Sequence, residues 1–217
     1  MIKPLLTTLL LLTAAPADPA HPAALVGAYD GHQMEMGAGL DLKADGRFHY
    51  GLSYGALDEE AEGVWAADHG SVVLTSDPVT PPRFTLMEQK AGPGKELRVT
   101  LDVPHGMNAQ YFDAVVVLAD GHSVQQQLGE QDETVVPIPD GAVPTRVTVV
   151  LSMFELHGDW VAIDPAKGGR FHFRFEPNDL GKVDFRGTAL KVEGGELVLD
   201  RYGRTIRFRR VAKSVLE

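Results

Sequence analysis

The chain has 217 residues, 20 Lys plus Arg against 30 Asp plus Glu, a formal net charge of −10, no Cys and 44% hydrophobic residues. This is the balance of a folded protein, not of a disordered or collagen-like chain. The negative charge opposes nucleic-acid binding, which needs a basic face to displace counterions. The lack of Cys removes disulfides, thiolate nucleophiles and thiolate metal sites.

Lys3 precedes a compact apolar run over residues 5–15, and Ala15-Pro16-Ala17 fits the small-x-small rule of signal-peptidase cleavage. The run falls short of the about 20 apolar residues that span a bilayer. Pro16 and Pro19 oppose a buried helix there. Residues 1–17 are therefore expected to be a signal peptide, and the mature protein to be periplasmic or secreted, with no membrane span after cleavage.

From Ala24 onward the apolar period is two. Met34, Met36, Ala38, Leu40 and Leu42 fall on one face. Gln33, Glu35, Gly37, Gly39, Asp41 and Lys43 fall on the other. Asp45-Gly46 reverses the chain, because Gly tolerates positive φ. The returning strand sets Phe48, Tyr50, Leu52 and Tyr54 against Arg47, His49, Gly51 and Ser53. One dry and one wet face mark an antiparallel sheet. Residues 56–62 (ALDEEAE) are the best helix candidate.

The middle carries apolar runs at 97–103, 112–118, 134–138 and 146–154, with turns at Asp120-Gly121 and Asp140-Gly141. Ala91-Gly92-Pro93-Gly94 and Lys167-Gly168-Gly169 bracket it. The far end returns to alternation: Phe171, Phe173 and Phe175, then Leu197 and Leu199, a turn at Tyr202-Gly203, then Ile206 and Phe208. The fold expected is all-β: a small antiparallel barrel from both ends of the mature chain, 18–89 and 169–217, with a β-sandwich inserted at 90–168. The stripe Arg201, Arg204, Arg207, Arg209, Arg210 and Lys213 reads as a charged strand edge, where cations discourage pairing with another chain.

The string QMEMGAGLDLKADGRFHYGLSYGALDEEAEGVW, with FRFEPNDLGKVDF and IRFRRV later, resembles a group of uncharacterised exported proteins of Gram-negative bacteria. The L-x-L-x-x-D-G-R-F pattern is similar to lipocalin-like small barrels. The resemblance implies the barrel and the export, and supplies no catalytic residues.

Gly51-Leu52-Ser53-Tyr54-Gly55 matches G-x-S-x-G, but a nucleophile elbow needs a strand-turn-helix setting that the alternation denies. His32, Met34 and Met36, if alternation holds, share a face and offer imidazole and thioether ligands suited to copper. The same two Met residues equally begin the dry face, where Met fills core gaps. No H-E-x-x-H, phosphate loop or dinucleotide fingerprint occurs. A pair of carboxylates assembled by the fold, as glycoside cleavage uses, leaves no mark in spacing. Tyr50, Tyr54, Trp65, Phe171 and Phe173 are the candidates to line a ligand cavity, since a small barrel is either filled or holds one small ligand. A membrane barrel would reverse the faces, apolar outward.

The expectation is thus an exported binding protein without enzymatic activity, taking a small apolar ligand in a barrel or cleft and needing no cofactor. One alternative is a periplasmic copper-binding protein using the His-x-Met-x-Met strand. The other is a structural or protein-interaction module whose partner is an envelope protein.

Overall fold

A computed structural model describes residues 22–91, 96–129, 133–164 and 169–216. The expected signal peptide and the cores of the two Gly-rich brackets lie outside the described residues. The fold is all-β, 59% strand and 3% helical.

Eight strands close a barrel: β1 (Gly27–Asp30), β2 (Met36–Leu42), β3 (Arg47–Tyr54), β4 (Leu57–Asp68) and β5 (Ser71–Ser76) from the first part of the chain, and β15 (Arg186–Glu193), β16 (Glu196–Arg201) and β17 (Arg204–Val211) from the last. Each strand pairs antiparallel with its neighbour around the ring. With the insertion set aside, the order is up-and-down, the lipocalin-like arrangement. Tyr29 closes the ring, opposite Leu40 on one side and Arg210 on the other. Full closure leaves no edge strand, so the basic stripe is not an edge. Its arginines are engaged instead: Arg207 and Arg209 with Glu193 and Glu196, and Arg210 with the Val26 carbonyl.

The alternation decides which face is inside. Leu40, Leu42, Phe48, Tyr50, Trp65, Leu74, Leu197, Ile206 and Phe208 are each at most 2% exposed. The outward positions of β4 and β17 carry Asp58, Glu60, Glu62, Arg207 and Arg209. Apolar in and charged out is opposite to a membrane barrel. Among the described residues no helix is long and apolar enough to cross a membrane. The rings interlock edge to face, with the Tyr50 and Phe185 centroids 5.1 Å apart, a geometry that aromatic quadrupoles favour.

Of residues 56–62, the best helix candidate, Leu57 to Glu62 begin β4 instead. Leu57 and Ala61 point into the core and Asp58, Glu60 and Glu62 point out. Barrel closure overrides the helix propensity of an Ala/Glu-rich string.

The second unit is a sandwich. One sheet orders β10 (Thr134–Val136), β7 (Leu97–Asp102), β14 (Arg170–Glu176) and β6 (Arg83–Lys90). The other orders β12 (Leu156–His157), β11 (Pro144–Leu151), β8 (Asp113–Leu118) and β9 (Ser123–Gln127), with β13 (Val161–Ala162) also on β11. Because β6 and β14 pair with each other and β14 lies parallel to β7, the inserted unit is larger than the expected 90–168. It takes residues 83–89 and 170–176 from the portions assigned to the barrel. Phe171, Phe173 and Phe175 consequently fill the sandwich core with Phe112, Val116 and Val149.

Two connecting segments join the units. The Thr80 amide donates to Asp179 Oδ2 at 2.8 Å, the Asp179 amide returns a bond to the Thr80 carbonyl at 3.1 Å, and Asn178 Nδ2 donates to the Pro81 carbonyl. The returning segment then pairs with β4: Glu60 N–H donates to the Gly181 carbonyl and Val183 N–H to the Glu60 carbonyl. It fills the gap left where β5 ends at Ser76, and drops Val183 and Phe185 into the barrel core. Phe154 packs against both cores.

Candidate functional site

The residues singled out in the sequence do not gather in one place. Tyr50 and Trp65 are buried in the barrel core, at 0% and 2% exposure. Trp65 Nε1 donates to the Lys43 carbonyl at 2.9 Å. Tyr54 lies at the rim, half-buried, where Arg204 stacks over its ring and donates to its hydroxyl at 3.1 Å. Phe171 and Phe173 belong to the sandwich core, so they cannot line a barrel cavity with the other three. None of the three pockets described lies inside the barrel. Its interior is packed with side chains, as small barrels commonly are.

His32, Met34 and Met36 do not share a face. The Gln33–Met36 bridge closes a turn in which Glu35 takes a left-handed φ of 63°. That turn puts Met34 outside, 86% exposed, and Met36 inside, 3% exposed. The expected His-x-Met-x-Met ligand strand is broken at its middle. Among the described residues no three His, Asp or Glu side chains converge closely enough to hold a metal ion. Ser53 of the G-x-S-x-G string is an exposed strand residue, and its hydroxyl donates to Asp58 Oδ1 at 2.5 Å, not to an imidazole.

The mouth of the barrel from which the sandwich departs holds a polar cluster that sequence spacing did not reveal. Glu59 and Arg201 occupy inward positions of β4 and β16. Arg201 Nη2 reaches both Glu59 oxygens at 2.8 Å and Nε reaches Oε2 at 3.0 Å. The two side chains are only 23% and 9% exposed, respectively. The Tyr202 hydroxyl donates to Glu59 as well. Burial pulls the Arg201 pKa down, but the hydrogen bonds of Glu59 outweigh it and the net shift is upward. Burial and the bond to Glu59 push Tyr202 up to about 12. Burial likewise raises Tyr50, whose hydroxyl has no hydrogen-bond partner among the described residues. Tyr202 and Gly203 form the two-residue β16–β17 turn, both with positive φ (52° and 65°). Tyr is unusual there, since such turns favour Asn, Asp or Gly. Its ring lies under Arg201, 4.7 Å from the guanidinium carbon. The cluster fills this mouth of the barrel.

The open space lies on the outer wall. A groove of about 820 Å³ crosses β2, β3 and the start of β4, with Leu180 and Gly181 on one flank and Val215 and Leu216 on the other. Its floor is low because Gly37, Gly39 and Gly51 take outward positions where neighbouring strands carry side chains. His32, His49, Ser53, Asp30, Asp58 and Glu60 supply its polar lining, and no Lys or Arg lines it among the described residues. The sequence held the signal for this groove, three glycines on the wet face of one hairpin. Comparison of the chain with protein-family models, curated proteins and solved structures finds no match.

Proposed function

We propose that the protein is an exported, periplasmic or secreted, binding protein that acts without catalysis and takes its ligand in the groove on the outside of the barrel. The single observation that carries this reading is a groove of about 820 Å³ on a barrel whose interior is packed. That volume falls within the roughly 300–1,000 Å³ of small-molecule sites. The stoppered mouth disfavours the barrel lumen as the site, so the barrel serves as a rigid wall. Asp30, Asp58 and Glu60, with no Lys or Arg in the lining among the described residues, give the groove a negative field. The aliphatic flank of Leu180, Val215 and Leu216 suits an occupant with an aliphatic part. The combination selects neutral or positively charged ligands over anions. Ser53 donates to the Asp58 carboxylate and to no imidazole, so the Ser–His pairing that activates a serine nucleophile is not formed among the described residues.

The test is amide chemical-shift mapping with three probes of one chain length: hexylamine, hexanol and hexanoate. The proposal expects shifts at Gly37, Ser53, Asp58 and Glu60, strongest with the amine and weakest with the carboxylate. Shifts confined to interior residues such as Leu40 and Leu197 would refute it.

A further inference from the structure

The groove is already part-filled by the chain itself. After β17, residues 212–216 fold back as a strap over the outer face of β2 and β3. Ser214 Oγ donates to Asp41 Oδ2 at 2.6 Å, and the Leu216 amide donates to Ser214 Oγ at 3.1 Å. The Leu216 side chain sits over Gly39 and Gly51, which face each other across the β2–β3 ladder. A Cβ on Gly39 would come within 2.7 Å of Leu216 Cδ2 and 2.8 Å of Val215 Cγ2. A Cβ on Gly51 would come within 2.7 Å of Leu216 and otherwise meet only the Glu59 carbonyl at 3.9 Å. At Gly51, therefore, the missing side chain makes room for the strap and for nothing else in the barrel. Neither glycine has a positive φ that would require glycine for the backbone.

The fit of the strap is partial. Val215 remains 50% exposed. Asp41 Oδ1 is buried beside the strap with no hydrogen-bond partner among the described residues, an acceptor that an incoming donor would satisfy. The groove also extends to Ser53, Asp58 and Glu60.

We infer that this trough is a docking site for an extended peptide segment of a partner protein carrying a branched aliphatic side chain, and that the strap is a tethered stand-in which the partner displaces. The inference rests on the groove being the binding site, and it names the class of partner. The seated strap is the argument for a peptide: the trough already accepts a leucine side chain, and its neighbouring carboxylate already accepts a serine hydroxyl. A short tether presents its segment at a roughly millimolar effective concentration, so a partner peptide displaces it by binding more tightly than the strap does.

The experiment titrates a hexapeptide with the sequence of residues 212–217 into the chain ended at Val211, read by amide shifts of Gly37, Gly51 and Ser53. Saturable binding with millimolar half-saturation is expected. It should weaken about tenfold for a peptide carrying Leu216→Ser, as expected when a half-buried leucine side chain is removed. It should weaken equally for a protein carrying Gly39→Ala and Gly51→Ala. Should the shortened chain fail to fold, the full chain with Leu216→Ser serves instead, and should bind the hexapeptide more tightly than the unaltered full chain does. Equal binding of the two peptides, or none, overturns the proposal. So does concentration-dependent dimerisation of the full chain that disappears with the strap, which would assign the trough to a second copy. If the hexapeptide fails while hexylamine still shifts Ser53 and Glu60, the peptide inference falls and the groove reading stands. If both fail, both fall.

Discussion

Replacing Arg201 with Met should cost more than replacing both Arg201 and Glu59. Arg201 makes three short contacts with Glu59 and stacks on Tyr202 and Phe185. Removing the guanidinium leaves a carboxylate that is 9% exposed with only the Tyr202 hydroxyl as a partner among the described residues. Breaking a fully buried pair typically costs about 3–5 kcal/mol. Arg201 retains 23% exposure at the barrel mouth, so water relieves part of the penalty and about 2–3 kcal/mol is expected. The Arg201→Met, Glu59→Leu double variant removes both charges, and should stay within about 1 kcal/mol of the parent, as apolar replacements of buried pairs commonly do. The assay is urea denaturation in a Trp160→Phe background. That leaves Trp65 as the remaining tryptophan, so fluorescence reports the barrel. A single variant costing under about 1 kcal/mol, or a double variant costing as much as the single, would refute the reasoning that the pair is a desolvated stopper.

Phe171→Ala should cost about 3–5 kcal/mol and act on the sandwich: hydrogen exchange at Val116 and Val149 should accelerate while Leu40 and Leu197 keep their protection. Gly63→Ala would place a Cβ 2.1 Å from the Thr75 carbonyl oxygen and 2.7 Å from Ser76 Cα. Backbone cannot yield there, so thermal denaturation should show a loss above about 3 kcal/mol, whereas Gly37→Ala, with nothing within 4 Å, should stabilise by up to about 0.5 kcal/mol. Tyr50 and Tyr202 both have raised pKa values. Their contribution to stability is complete below the ordinary phenol value of 10.0 and is lost as pH rises through the folded-state values. Phenolate absorbance should therefore show protected groups above pH 10 that titrate on alkaline unfolding, and Tyr202→Phe should flatten that profile.

Strand periodicity made the barrel legible, because a half-buried strand must alternate and Asp45-Gly46 and Tyr202-Gly203 sit where the chain turns. Periodicity says which face is dry but not which sheet the strand joins. Phe171, Phe173 and Phe175 alternate as a barrel strand would, and only their pairing with β6 and β7 assigns them to the sandwich. The turn at Glu35 carries no Gly, Pro, Asn or Asp, so nothing local announced that Met34 and Met36 part company. The Glu59–Arg201 pair joins residues 142 apart in sequence, a distance over which spacing is silent until closure sets the register. The groove was half legible, since its glycine floor stands in one hairpin but its flanks come from the returning connection and the strap.

The central claim is that this protein binds on the wall of a solid barrel, not in its lumen. Its most direct test is one hexylamine titration run on three proteins: the unaltered chain, Ser53→Trp, which obstructs the groove from outside, and Leu197→Ala, which hollows the barrel from within. The account predicts that Ser53→Trp abolishes binding while Leu197→Ala leaves the half-saturation unchanged. Binding that survives Ser53→Trp and tightens with Leu197→Ala would contradict it.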